Sequence, residues 1–265
     1  MKRKRFFKKI SALLFLLLLT GCTALTPKQS SQLTQISTID GLMVGVYDGF
    51  YTVGDLKRHG NLGIGTVDKL DGELILLNGK VMHVRADGRA YMLDDKTLIP
   101  FASVVDFAPD KQDKVNEKLS YSQFVERMVK FAPNPNVIVA LHCRGRFKFV
   151  HTRSVPAQQR PYRPLTEITK NQPEFQLENI TGDLVGFRLP AYVKGINVPG
   201  WHLHFIADDQ LSGGHVMDFE LLDGDIEIDE IYDFRMILPQ NSLDFNHADL
   251  ATDRSDELKK VEGKR

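Results

Sequence analysis

Short runs of alternating apolar and polar residues, cut by turn dipeptides, dominate this chain. Gly72–Leu77, Lys80–Arg85 and Arg89–Leu93 form the pattern of a three-stranded meander. Asn78-Gly79 and Asp87-Gly88 supply its turns, because both dipeptides accept the positive φ that a tight hairpin needs. Gly41–Gly49 is a short apolar segment closed by Asp48-Gly49. Thr52-Val-Gly-Asp55 opens a helix with a capping pattern, and Gly60 stops it. Ser120 to Phe131 has the 3.6-residue spacing of an amphipathic helix. Ser120 and Gln123 suit a capping box, Phe124, Val125, Met128 and Val129 mark the inner face, and Pro133 and Pro135 end the helix.

Strands continue through the second half. Val137–Leu141 and Arg146–Thr152 are predicted as a pair, with Arg144-Gly145 turning between them. Phe147, Phe149 and His151 share one face, which Arg153 continues. Three prolines mark residues 154–164 as a loop, and a short helix follows near Thr166. Further strands are expected at Asp183–Leu189, Trp201–Ala207, Val216–Leu222 and Asp225–Ile237, with Asp223-Gly224 turning between the last two. Many strands, few helices and no regular strand–helix alternation predict an α+β fold with mixed or antiparallel sheets. The proline-rich loop sets the expected division, into a mixed-sheet domain at 39–160 and a histidine-bearing β domain at 161–248. The charged stretch 249–265 reads on its own as a frayed tail.

Composition adds an asymmetry. The 265 residues are 42% hydrophobic, enough for a sizeable core, and the formal charge is zero. However, Lys2, Arg3, Lys4, Arg5, Lys8 and Lys9 crowd into residues 1–21, which hold no acid. The remainder is therefore acidic, which argues against a nucleic-acid partner. The basic start runs into Ile10–Leu19, too short to span a bilayer comfortably. Leu19-Thr20-Gly21-Cys22 then resembles the bacterial lipobox. A signal peptide at 1–21, a lipid on Cys22 and a polar tether over 22–38 are expected, with the protein exported and anchored to the cell envelope. An ordinary secretory signal, giving a secreted protein, is the alternative. Cys143 is the other cysteine and reads as a small buried residue.

The sharpest chemical feature is Trp201-His202-Leu203-His204, followed by Gly213-Gly214-His215. On a strand, His202 and His204 point the same way. The turn-rich stretch from Asp208 to Gly214 can bring His215 back opposite them. Three converging imidazoles suit zinc in an open site, although iron, manganese, nickel or copper would also fit. Without His215, a pair of surface histidines would be the simpler reading. Glu73 heads a strand apolar on both faces, so it either reaches water at the strand end or meets a metal or a substrate proton. The Arg153 guanidinium can clamp a carboxylate, and Arg144, Arg146, Arg160 and Arg163 are rivals for that task. His59, His83, His142, His151 and His247 lack ligand spacing, although His142 and His151 could lie beside the site. No nucleophile elbow, phosphate loop or dinucleotide fingerprint is present.

Several separated motifs, from about Ile39 onward, resemble the α-acetolactate decarboxylases. They are Gly45-Val-Tyr-Asp-Gly49, His59-Gly-Asn-Leu-Gly-Ile-Gly-Thr66, Leu70-Asp-Gly-Glu73, Arg153-Ser-Val-Pro156 and the three-histidine run. Asn61 stands where an aspartate is expected, and export departs from a cytoplasmic metabolic enzyme. The resemblance implies a two-domain α/β fold, a homodimer, and zinc on His202, His204 and His215. The implied reaction converts 2-acetolactate to acetoin and carbon dioxide through a metal-stabilised enediolate. It also implies active-site roles for Thr66, Glu73 and Arg153. A further glutamate approaching the metal is matched by Glu262, with Glu257 second, so that the tail 249–265 would fold back into the site. A non-catalytic metal-binding lipoprotein and a cupin-like oxygenase are the competing readings.

Overall fold

The computed structural model describes residues 31–262. The expected signal peptide, Cys22, the tether up to residue 30, and residues 263–265 lie outside the described residues. A seven-stranded sheet runs, edge to edge, β15 (Asp233–Ile237), β1 (Gln32–Ile36), β8 (Phe101–Val105), β3 (Leu62–Thr66), β4 (Glu73–Leu77), β5 (Lys80–Val84) and β6 (Ala90–Met92). Among the described residues, only β1 and β15 pair in parallel. The last residues of the expected tether are thus the buried strand β1, held between two neighbours.

The second sheet is antiparallel. It orders β10 (Leu119–Ser120), β14 (Gly213–Ile231), β11 (Ile138–Arg153), β12 (Glu174–Leu189) and β13 (Gly200–Ala207), with β9 (Lys111–Val115) also on β14. β13 pairs again with the start of β14, so these four long strands close into a ring. A small ribbon joins β2 (Tyr51–Thr52) to β7 (Leu98–Ile99). Among the described residues, six short α-helices complete the fold: α1 (Ile39–Met43), α2 (Val53–Lys57), α3 (Tyr121–Phe131), α4 (Leu165–Ile168), α5 (Leu243–His247) and α6 (Ser255–Val261). None is long and apolar enough to cross a membrane.

The meander and α3 form as their sequences dictate. Asn78 and Gly79 both take positive φ, and Ser120 and Gln123 complete the capping box. On α3, Phe124 and Met128 are buried, but Val129 is exposed, since its position falls off the buried stripe. Gly41–Gly49 begins inside α1.

Two expected turns are absent. Arg144-Gly145 and Asp223-Gly224 lie inside single strands of 16 and 19 residues. Gly145 pairs with Gly182 on one side and Gly224 on the other. A Cβ at Gly145 would sit 2.6 Å from Leu221 Cδ1, and one at Gly182 would sit 2.5 Å from the Phe205 ring. These glycines mark a crowded crossing of a curled sheet, where the sequence pattern suggests reversals. The expected strand Asp225–Ile237 also divides at Tyr232, where the chain leaves β14 and crosses to β15 in the other sheet. The boundary drawn at residue 160 falls between β11 and β12 of one sheet; the chain changes sheets near residue 111 and returns at 233.

Apolar side chains fill two main layers. Ile75, Val84, Val185 and Phe187 pack between the sheets, while Phe124, Phe147, Phe205 and Phe219 meet edge to face under α3. His142 ties three strands of the second sheet together. Its Nε2 lies 2.8 Å from Asp183 Oδ1 and its Nδ1 3.2 Å from Glu227 Oε2. Two carboxylates on two ring nitrogens require two N–H donors, hence an imidazolium. Burial alone would lower its pKa, but the two carboxylates outweigh burial and leave it raised. A folded-state pKa above the unfolded value gives stability that is complete below about pH 6.5 and is lost as pH rises through the folded value. His142→Gln should therefore cost about 1–2 kcal/mol at about pH 5.5 and much less at about pH 8.5, measured by urea unfolding. An equal cost at both pH values would rule out the imidazolium.

Candidate metal centre and active site

The centre is assembled where β13 meets β14. His202 and His204 project from one face of β13, and a tight reversal brings His215 directly across from His204. The reversal needs both glycines. A Cβ at Gly213 would lie 2.2 Å from Phe205 O, and Gly214 holds φ +133°. All three histidines are buried, and their nearest ring nitrogens lie within 4.8 Å of one another.

His204 shows what the cluster is suited to hold. Its Nδ1–H donates to Leu74 O at 3.0 Å, because a carbonyl can only accept. The tautomer is thereby fixed, and the Nε2 lone pair points inward. Nε2 is buried and has no hydrogen-bond partner. Burial, then the neighbouring His202, hold the His204 pKa well below the ordinary value, so the ring stays neutral. A neutral imidazole with its outer nitrogen tied to a carbonyl is the arrangement of a metal ligand. With His202 and His215 each offering a nitrogen within 4.8 Å of it, the cluster fits a divalent first-row cation, with further oxygen donors possible.

Carboxylates and an arginine surround the triad. Glu73 begins β4, opposite Thr66 of β3, and is buried, so it does not reach water at the strand end. Its Oε2 lies 3.5 Å from His204 Nε2. Burial pushes the Glu73 carboxyl up to about 7; Arg153 draws it down, Glu262 pushes it up, and a Val155 backbone hydrogen bond draws it down again. A dication on the histidines would lower it further. Thr66 donates its hydroxyl proton to Gly72 O at 2.6 Å, so its lone pairs remain for another donor.

Arg153, the last residue of β11, pairs in register with His215. Its Nη2 lies 3.6 Å from Glu262 Oε1, and Nη1 donates to Gln172 Oε1 at 2.8 Å. The rival arginines face solvent. Arg144 binds Asp183 and Asp208, Arg146 binds Asp223, Arg160 binds Asp48 and Asp244, and Arg163 is exposed.

The tail is folded. Leu258 and Val261 of α6 are buried, packing with Leu165 of α4. Glu262 follows directly, buried, with Oε2 3.5 Å from His215 Nε2. Glu257 instead lines a surface cavity beside Thr166 and Lys170. Thr66, Glu73, Arg153, Glu262 and the three histidines all line one cavity of about 50 Å³. Ile39, Leu42, Leu70, Phe101, Val155, Leu165 and Val261 form its apolar wall. A larger hollow of about 810 Å³ lies along α6 but shares only Glu262 with this site, so the chemistry belongs to the smaller one.

The other histidines stay apart. His59 meets Tyr51, His83 meets the Asp71 carbonyl, His151 meets Glu174, and His247 bonds within its own helix. Asn61, the departure noted above, accepts from Phe107 N at 2.9 Å and so anchors the chain after β8. Gln172 and the α1 wall carry no spacing signal; only the folded chain brings them to the site.

A family model described as Alpha-acetolactate decarboxylase matches residues 33–252. The chain belongs to the alpha-acetolactate decarboxylase family. Among alpha-acetolactate decarboxylases, the Methanosarcina mazei protein is 42% identical over 233 residues, spanning 88% of this chain and 81% of its own. The Bacillus subtilis protein is 40% identical over 232 residues, spanning 88% and 90%. The crystal structure of alpha-acetolactate decarboxylase from Bacillus subtilis strain 168 superposes with a TM-score of 0.85 at 39% identity, covering 88% of this chain and 99% of that one. The family-model match stops at residue 252, before α6, so Glu262 lies outside it and is placed by the distances above.

Proposed function

We propose that this protein is a carboxy-lyase converting 2-acetolactate to acetoin and carbon dioxide, with zinc held by His202, His204 and His215. The observation that carries the proposal is a single buried cavity. It joins three imidazoles, an arginine and two carboxylates in a chain of the alpha-acetolactate decarboxylase family. A non-catalytic metal binder needs neither Arg153 nor Glu73, and a cupin-like oxygenase would consume oxygen.

Zinc, when bound, supplies a Lewis acid for the substrate oxygens on which negative charge gathers as the carbon–carbon bond breaks. The chain does the rest. Arg153 holds the substrate carboxylate through its Nε and Nη2 edge until that group leaves as neutral carbon dioxide. Thr66, its own proton committed to Gly72 O, accepts from the substrate hydroxyl. Glu73, buried with its Oε2 3.5 Å from His204 Nε2, takes a proton from solvent and passes it to the carbon that lost carbon dioxide. Glu262 and Val261 cover the cavity, and the apolar wall receives the two methyl groups.

The test is metal analysis of the purified protein combined with an acetolactate-to-acetoin assay, before and after chelation. Metal-replete protein that makes no acetoin would overturn the proposal. Export with a lipid on Cys22 belongs to the same reading. Cys22→Ser should move the protein from the membrane fraction to the soluble fraction, and unchanged fractionation would count against the anchor. Homodimer assembly, also part of this reading, is measured by light scattering; a monomeric mass would remove it.

A further inference from the structure

A guanidinium can receive a carboxylate on either of two edges, Nε with Nη2 or Nη1 with Nη2. In Arg153 the two edges differ. Nη1 is bound to Gln172 Oε1 at 2.8 Å. Nε is buried with no hydrogen-bond partner, and Nη2 stands 3.6 Å from Glu262, beyond hydrogen-bond reach. The Nε–Nη2 edge is therefore the one without a hydrogen bond, on a residue that lines the cavity. We infer that Gln172 is a positioning residue for the carboxylate clamp, fixing the far side of Arg153 so that its Nε–Nη2 edge meets the substrate carboxylate. This inference rests on the clamp role proposed for Arg153.

Two further observations support it. Gln172 is stitched to the end of β11, since Ser154 N donates to Pro173 O at 3.2 Å and Arg153 pairs in register with Glu174. The amide thus keeps its place relative to Arg153. Its neutrality also matters. A carboxylate at this position would satisfy the guanidinium charge and compete with the substrate for it. The nearby acid, Glu174, is turned instead to His151 at 2.9 Å. The amide orients the arginine without adding a second carboxylate to the Glu262 already 3.6 Å from Nη2.

The experiment uses the metal-replete full chain and two variants. Gln172→Met keeps the length and removes the acceptor; Gln172→Glu keeps the acceptor and adds the charge. Two probes are titrated by calorimetry: 2-hydroxyisobutyrate, which carries a carboxylate, and acetoin, which is neutral. KM and kcat for acetolactate are measured alongside. Both variants should weaken 2-hydroxyisobutyrate and raise KM by about tenfold, with acetoin affinity and metal content within about twofold of the parent. Carboxylate affinity unchanged in Gln172→Met, or equal weakening of both probes, would overturn the positioning role. Parental carboxylate affinity in Gln172→Glu would overturn the argument from neutrality. Failure of the parent protein to make acetoin would count against the proposed function, whereas the ratio of the two probe affinities reports on Gln172 without turnover.

Discussion

His204→Ala should strip the metal and lower acetoin formation by about a thousandfold or more. The site loses an inward lone pair fixed by the Leu74 carbonyl, and the remaining pair, His202 and His215, comes from two different strands. Two imidazoles alone hold a divalent cation far more weakly than three. The truncation also leaves Leu74 O without its side-chain donor, so added zinc should rescue little. Metal content and turnover, measured on the same preparation, check this. A variant that retains both would remove His204 from the metal site.

Glu73→Gln should separate metal from chemistry. Gln is nearly isosteric and can still lie beside His204, so metal content should be unchanged. It carries no transferable acidic proton, and kcat should fall by about a hundredfold or more with little change in KM. Steady-state kinetics with parallel metal analysis measures the split. Near-normal kcat would leave the proton to another group. Loss of metal together with activity would make Glu73 a structural support of the centre.

Local chemistry in the sequence was enough to read the three-histidine cluster, the meander and α3. Period-two spacing puts His202 and His204 on one face, and Gly213-Gly214 announces the reversal before His215. Glu73 was conspicuous as a charge heading an apolar strand, and burial beside His204 resolves that conflict. Arg153 could not be chosen by spacing, because all five candidate arginines cluster between 144 and 163; burial separates it from the others. The long strands were harder for the same physical reason at two places. Arg144-Gly145 and Asp223-Gly224 carry the residue types of turns, but here the missing Cβ relieves crowding between strands. Gln172 was invisible, since its value lies in one contact across 19 positions of the chain. The tail 249–262 looks frayed by composition, and only Leu258 and Val261 betray that it packs.

The parallel pairing of β1 with β15 governs the order in which this molecule can be built. Gln32 faces Asp233, so the first described strand to be synthesised waits for the last. All three imidazoles emerge before that seam can close, yet the sheet bearing Glu73 is complete only afterwards. Such long-range closure slows folding, because the loop must be ordered before its contacts form. A chain stopped short of residue 233 would carry β1 with an open edge, a template for self-association.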